Sequence, residues 1–448
     1  MLAILRENLI ITSPGPYRAR LLALAVYKRK GRLPKGEGRL VRFFINARGF
    51  IAIPRGLLAR ARAISPLNVA DRRLLLRPVA FGWRGELRPE QSEATRKVAA
   101  MGGGMLVAMT GAGKTEMALA LIASFRQPAL WLCNTKTLAH QALARARKVY
   151  NLPPRAYGFI GEGEFGLGTH LTVATLQSLT KGRHRGIERR FGCIVVDECD
   201  LAPAISYSRV VSRFPARYRI GVTATPERGD GLGPLALDLL GPGMVRVEEK
   251  TLVLNKRIMV PTIRLTITNW AYWGSGDWTE VQQSRAADSA RNALVCSIAA
   301  REFRNGHRVI ILTELVRHVQ LLVAMLGRAY GIPGIAVTGP VATNMRNKAL
   351  RATQEGKAVL VATKLADRGL DLPILDRLVL AAPGRSMSRL EHQVGRILRT
   401  CPDKTDAIVY DLVDIRVGSL LAQAKLRIGY YHGKGYQVEK MARDALKV

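Results

Sequence analysis

Cysteine is scarce in this chain, and its five residues, at positions 133, 193, 199, 296 and 401, include no Cys-x-x-Cys pair. That spacing excludes a disulfide framework and a structural zinc site, and fits a reducing compartment. No apolar run approaches the roughly 20 residues that a membrane-spanning helix needs. The first residues, Met1-Leu-Ala-Ile-Leu-Arg6-Glu7, meet charge before a signal-peptide core could form. Acids are the largest shortage: 34 Asp and Glu stand against 69 Lys and Arg in 448 residues, a net charge of +35. Genomic GC bias exchanges arginine for lysine, but it does not by itself deplete acids. A surface so poor in negative charge implies a polyanionic partner. Nucleic acid fits that role and a membrane does not, because no amphipathic anchoring helix stands out. With 48% hydrophobic residues, the chain has core enough for two to four globular domains.

The apolar run Gly104-Met-Leu-Val-Ala108 leads into Met109-Thr110-Gly111-Ala112-Gly113-Lys114-Thr115, and Glu116-Met-Ala-Leu-Ala-Leu leaves like a helix. Strand, glycine turn and helix N-terminus form a phosphate cradle, in which backbone N–H groups and the helix dipole face the phosphate oxygens. Lys114 is placed for the β/γ-phosphates and the Thr115 hydroxyl for Mg²⁺. Ala108 stands where such a motif usually begins with glycine. Further on, Cys193-Ile-Val-Val-Asp197-Glu198-Cys199-Asp200 is a second apolar run that ends in acids. Asp197 is expected to complete the Mg²⁺ shell, and Glu198 to polarise the attacking water as general base. Near the end, Gln393-Val-Gly-Arg396-Ile-Leu-Arg399 places two arginines three apart. The spacing predicts one helix face carrying two guanidinium groups for the γ-phosphate. Each signal has a plainer reading: a chance glycine turn, solvated acids at a strand end, a solvated basic helix. Their ordered company decides against it.

With these residues in order, the chain resembles the superfamily 2 helicases through most of its length. Leu87-Arg88-Pro-Glu-Gln91 is similar to the family's adenine-reading segment. Asn134-Thr135-Lys136-Thr is similar to motif Ia, Thr172-Val-Ala-Thr175-Leu-Gln177-Ser178 to motif Ib, and Asp197-Glu-Cys-Asp200 to motif II. Gly221-Val-Thr223-Ala-Thr225-Pro-Glu-Arg228-Gly-Asp-Gly231 fits motif III, Thr363 with Arg368-Gly369-Leu-Asp371 fits motif V, and Gln393 to Arg399 fits motif VI. Motif III as Thr-Ala-Thr-Pro and a motif VI opening on Gln resemble the XPB-like and phage UvsW-like DNA helicases, not the RNA branch. So does the ending Arg427-Ile-Gly-Tyr430-Tyr431.

The resemblance implies two tandem RecA-like parallel-sheet lobes that hydrolyse ATP, with Mg²⁺, in the cleft between them. It implies that Arg88, Gln91, Thr110, Gly111, Ala112, Gly113, Lys114, Thr115, Glu116, Gly369 and Asp371 hold the nucleotide, with Gln393, Arg396 and Arg399 catalytic beside Lys114 and Glu198. Thr223 and Thr225 would couple hydrolysis to strand movement. Thr135, Lys136, Thr175, Gln177, Ser178 and Thr363 would contact the nucleic-acid backbone. The implied activity is unwinding or branch migration of forked and junction DNA, by an intracellular monomer in a bacterial or phage-infected cell. Single-strand-binding and recombination proteins are candidate partners. A double-stranded DNA translocase motor of a restriction or repair complex is the alternative, and an RNA helicase a more distant one. No further acid cluster outside these motifs has nuclease logic.

Three regions are expected in this α/β chain. Residues 1–85 show short apolar alternations (Val41 to Asn46, Gly49 to Pro54) and read as a small α+β or β-rich module. Residues 86–245 alternate strands near 105–109, 129–133, 171–174, 193–196 and 220–223 with helical patterns, which argues for a doubly wound parallel sheet. Residues 246–448 repeat the logic near 308–312, 335–337, 358–362, 376–381 and 407–411. Between Lys28 and Arg39 six cations (Lys28, Arg29, Lys30, Arg32, Lys35, Arg39) face Glu37 alone, which suits a loop on a phosphate backbone or, equally, a solvated loop. Trp270, Trp273 and Trp278 cluster after the expected linker; they read as its anchor, with base stacking the alternative.

Overall fold

The computed structural model describes residues 1–30, 38–180, 186–200, 204–227, 230–255, 257–274, 277–339, 343–363, 372–402 and 404–440. Arg32, Gly369 and Asp371 therefore lie outside the described residues. The chain divides into two units, 1–251 and 252–448.

In the first unit an eight-stranded sheet runs in the order Glu164–Phe165, Tyr157–Gly161, Leu171–Thr175, Ala129–Cys133, Cys193–Asp197, Tyr218–Thr223, Gly104–Val107, Met244–Arg246. All its pairings are parallel except the terminal hairpin. Ala129–Cys133 and Cys193–Asp197 are buried along their whole length. Continuous apolar runs of this kind belong to strands covered on both faces. The chain leaves Gly104–Val107 and returns three strands over, at Ala129–Cys133. The later strands Tyr218–Thr223 and Cys193–Asp197 fill the gap, which brings the acids of the second run beside the glycine turn of the first.

The first 71 residues build a five-stranded sheet in the order Ile45–Ala47, Phe50–Ile53, Leu9–Thr12, Leu2–Leu5, Asn68–Asp71, with a separate hairpin Val26–Lys28/Leu40–Arg42. Its core is continuous with that of the larger sheet: Leu9, Ile53 and Leu57 belong to the same buried cluster as Phe214, Ala216, Leu235 and Leu239. Polar contacts reinforce the join. Buried Arg219 donates to Leu239 O and Phe214 O (both 2.7 Å) and to Glu7 O (2.8 Å), and Tyr27 donates to Asp238 (2.8 Å). Lys28 ends a hairpin strand, and Arg29 N–H to Arg39 O (2.7 Å) extends the pairing one step beyond it. Lys30 N–H donates to Asp230 O (2.9 Å), so the first three cations of the basic stretch belong to ordered backbone.

The second unit is a seven-stranded, all-parallel sheet in the order Gly334–Val337, Val359–Thr363, Val309–Thr313, Arg377–Leu380, Ile408–Asp414, Thr262–Thr268, Gln437–Lys440. Trp270 is buried against Val281, Val417 and Leu420 of this same unit, so it seats its segment there. Trp273 projects with 90% of its surface exposed. Two α/β units with parallel sheets, preceded by a small mixed sheet, give the tandem RecA-like architecture expected from the sequence. No helix among the described residues is long and apolar enough to cross a membrane.

Candidate active site

After Gly104–Val107 the chain turns through Gly111 and Gly113, both left-handed (φ 91° and 83°), into the helix Lys114–Phe125. Gly113 is doubly required: a Cβ there would lie 2.2 Å from Gln91 Nε2, in a backbone conformation that side chains disfavour. Ala108 is buried and does not enter the left-handed region. Its N–H donates to Thr223 O (3.0 Å), so it continues the sheet and glycine is not needed there. The turn is braced from behind. Gln91 Nε2 and Arg88 Nη2 both donate to Ala112 O (2.8 and 3.0 Å), and Gln91 Oε1 accepts from Arg88 N–H (3.0 Å). Lys114 Nζ donates to Ala108 O (3.1 Å) and sits 3.8 Å from Glu198. Thr110 is buried with its hydroxyl lacking a hydrogen-bond partner, a donor that suits a phosphate oxygen. Glu116 faces away and pairs with Arg145 on the helix Lys136–Val149.

Asp197 is the last residue of its strand, buried beside Val222. Burial, and then the charge of Glu198, push its carboxyl well above the usual range, against the pull of Lys114. Two adjacent acids with a single lysine are short of positive charge. The oxygen donors of Asp197 and Thr115 suit a hard dication such as Mg²⁺. Glu198 adopts φ 47°, a conformation costing about 1–2 kcal/mol in a non-glycine residue. Two hydrogen bonds hold it there: Asn134 Nδ2 to Glu198 O (3.1 Å) and Cys199 N–H to Val222 O (3.2 Å).

The acid at the end of that run joins the next strand. Asp200 accepts from Thr223 Oγ1 (2.5 Å) through one carboxylate oxygen and from Thr225 Oγ1 (3.0 Å) through the other. Three and four strands from the cradle strand, Cys133 and Thr175 lie in register at the same ends of their strands. Thr135 Oγ1 caps the helix Lys136–Val149 by accepting from Leu138 N–H (3.3 Å). Thr175 Oγ1 accepts from Ser178 N–H (3.4 Å) and shares a hydrogen bond with Ser178 Oγ (2.7 Å). Gln177 is exposed, and Lys136 pairs with Glu162 (3.0 Å). These threonines are therefore helix caps. A capping hydroxyl that accepts keeps its own proton for an acceptor such as phosphate.

In the second unit the helix carrying Gln393 ends at Val394. A 3-10 turn, Gly395–Ile397, follows, and Arg399 then bridges to Ile258 in extended backbone. The two arginines thus do not share a helix face as the spacing predicted, because the α-helix stops at Gly395. Gln393 is buried, and Arg396 and Arg399 are half-buried. Thr363 closes the strand Val359–Thr363, buried, with its hydroxyl lacking a partner.

Residues 84–228 match the family described as Type III restriction enzyme, res subunit, and residues 290–401 match the Helicase conserved C-terminal domain. The chain belongs to the superfamily 2 helicases. It is 28% identical over 372 residues to the DNA 3'-5' translocase XPB2 of Sulfurisphaera tokodaii, covering 73% of this chain and 81% of that one. It is 25% identical over 373 residues to a putative ATP-dependent RNA helicase of Acanthamoeba polyphaga mimivirus, covering 80% and 70%. Among solved structures, a fragment of a putative HsdR subunit of a type I restriction enzyme from Vibrio vulnificus shares the fold. There the TM-score is 0.57 at 18% identity, over 80% of this chain and 69% of that one. Within this helicase, the sequence reading overlooked Asp200 and Asn134 as working residues. Both were quoted inside motifs, but their roles come from partners on other strands.

Proposed function

We propose that this helicase is an ATP- and Mg²⁺-dependent DNA helicase that unwinds or branch-migrates forked and junction DNA. The observation that carries the reading is the carboxyl edge of the first unit's sheet. There the strand ends run in the order motif Ib cap, motif Ia cap, acids, Thr223 and phosphate cradle, and the Asp200–Thr223–Thr225 network joins the acid strand to the strand beside the cradle. Lys114 and the N–H groups opening the Lys114–Phe125 helix bind the β/γ-phosphates, and Gln91 and Arg88 hold the turn against the adenine side. Thr115 and Asp197 would hold Mg²⁺, which would supply positive charge for the phosphates. Glu198 takes the proton of the attacking water. Arg396 and Arg399 stabilise γ-phosphate charge, and Gln393 orients the nucleotide end of their segment. Gly369 and Asp371 contribute from motif V. Thr135, Lys136, Thr175, Gln177, Ser178 and Thr363 bind backbone phosphates, which position a strand without reading its sequence. Lys28, Arg29 and Lys30 add phosphate contacts from the N-terminal hairpin, and Arg32 adds one as well.

DNA over RNA is favoured by the Thr223-Ala-Thr225-Pro and Gln393 forms of motifs III and VI. The name of the Sulfurisphaera relative accords with it, and that of the mimivirus relative does not. The deciding assay is ATP-dependent strand separation on a mobile four-way junction beside a fork, a blunt duplex and an RNA duplex. Junction and fork resolved with blunt duplex spared supports the reading. Duplex-stimulated ATP hydrolysis with no strands separated makes the chain a translocase motor instead, and resolution of the RNA duplex alone makes it an RNA helicase. DNA affinity is expected to fall linearly on a log–log plot against salt, through counterion release; a flat plot contradicts the basic-surface argument.

The coupling role has its own test. Thr223→Val keeps the side-chain shape and removes the hydroxyl from Asp200, a loss of about 1.5–3 kcal/mol for a hydrogen bond to a charged group. DNA-stimulated ATP hydrolysis is expected to survive within about tenfold, while strand separation per ATP falls by more than that. Equal loss of both would make Thr223 part of the hydrolytic site and not a coupler.

A further inference from the structure

The segment bearing Arg396 and Arg399 is held by a cation that the reading above does not use. Lys404 is buried, and its Nζ donates to Ile397 O (2.5 Å), Leu375 O (2.7 Å) and Arg399 O (2.9 Å), with Pro373 O at 3.5 Å. Three short bonds saturate an ammonium's three N–H groups. No carboxylate pairs with it among the described residues. An ammonium buried on carbonyls alone is an expensive arrangement. The carbonyls it joins come from two turns: the approach to the strand Arg377–Leu380, directly after motif V, and the 3-10 turn of motif VI with the residues just after it.

We propose that Lys404 is the positioning residue of the arginine pair: its ammonium pins the 397–399 backbone to the 373–375 turn and so fixes where the two guanidinium groups project. This rests on the reading of Arg396 and Arg399 as γ-phosphate stabilisers. Such a group acts on the rate of the chemical step far more than on nucleotide binding, because the cradle belongs to the other unit's residues.

The proton on Lys404 supplies a readout that packing alone would not. Burial, with Arg377 and Arg399 nearby, outweighs Asp376 and Cys401 and pushes its pKa down to about 8. Above that pH a neutral amine has two N–H groups for three carbonyls and turns its lone pair toward the third. The pin weakens as pH rises through about 8.

The experiment is steady-state ATP hydrolysis with fork DNA, by wild type, Lys404→Met and Arg399→Ala, at pH values on both sides of about 8. Lys404→Met is expected to lower kcat at neutral pH by about tenfold or more with KM for ATP within about twofold. Wild-type kcat is expected to fall as pH rises through the Lys404 transition, a limb the variant lacks. Folding is checked by circular dichroism. A folded Lys404→Met with wild-type kcat overturns the proposal, as does an alkaline limb identical in both proteins. If Lys404→Met does not fold, the wild-type profile decides: kcat falling through the transition at constant nucleotide affinity supports the pin, and a flat kcat overturns it. Arg399→Ala is expected to lose about 10³-fold in kcat. Were it to hydrolyse ATP at the wild-type rate, the arginine reading itself would fail, and the Lys404 proposal with it.

Discussion

Replacing Glu198 by glutamine is expected to lower kcat for ATP hydrolysis by about 10²- to 10⁴-fold, the range of a positioned general base, while ATP and DNA remain bound. Glutamine has the size and shape of glutamate but cannot take a proton from water. The position is already defined by the backbone. Glu198 stands at φ 47°, held by Asn134 and by the Cys199 N–H bond to Val222, and neither contact uses its carboxylate. Binding should therefore survive, and the variant should accumulate as an ATP- and DNA-bound complex detectable by nucleotide retention on a filter. Lys114→Ala provides the contrast: it removes the cation from the phosphates, so KM or nucleotide affinity must suffer along with kcat. A Glu198→Gln protein that turns over ATP at the wild-type rate would falsify the base assignment and shift attention to Asp200. If Lys114→Ala alone lost nucleotide affinity, the two residues would be separated as binder and base.

The strands that build these sites were legible because each is a continuous apolar run, as at Cys193–Asp197 and Val359–Thr363, which a sheet covered on both faces demands. Strands at or near sheet edges escaped. Tyr157–Gly161 is broken by two glycines, Met244–Arg246 has only three residues, and Thr262–Thr268 alternates polar and apolar residues in the manner of a half-exposed strand although it pairs in parallel on both sides. Motif VI was misread as one helix face because spacing alone does not register that Gly395 ends the α-helix and that Arg399 is drawn into a bridge with Ile258. Glu116, expected among the nucleotide residues, also pairs with Arg145 on the helix Lys136–Val149, a contact that no local pattern announces. The residues that no local pattern marks are those whose role is set by distant partners. Asp200 needs two threonines from the next strand, and Lys404 needs carbonyls from two separate turns.

Breaking the Arg427–Asp411 pair is expected to destabilise the second unit by about 3–5 kcal/mol, the usual cost of stranding one buried charge. Asp411 lies fully buried in the strand Ile408–Asp414, where its two oxygens each accept from the Arg427 guanidinium (both 2.8 Å) and one also accepts from Tyr431 Oη (2.9 Å). The Arg-x-x-Tyr-Tyr tail thus has a structural reason: Arg427 and Tyr431, one helical turn apart, reach the same carboxylate from the helix Gly418–Gly433. Arg427→Met leaves the carboxylate with only the tyrosine, in a position where water does not compensate it. For a unit of this size the loss corresponds to a drop of roughly 6–20 °C in Tm, measured by calorimetry and by tryptophan fluorescence, since Trp270 lies in this unit. The double variant Asp411→Leu with Arg427→Met removes both charges and should recover most of the loss, because the cost lies in the stranded charge and not in the absence of the pair. A double variant no more stable than Arg427→Met would locate the damage in lost packing of the arginine stem instead. An Arg427→Met protein with unchanged Tm would mean the pair contributes nothing net, and the tail would need another explanation.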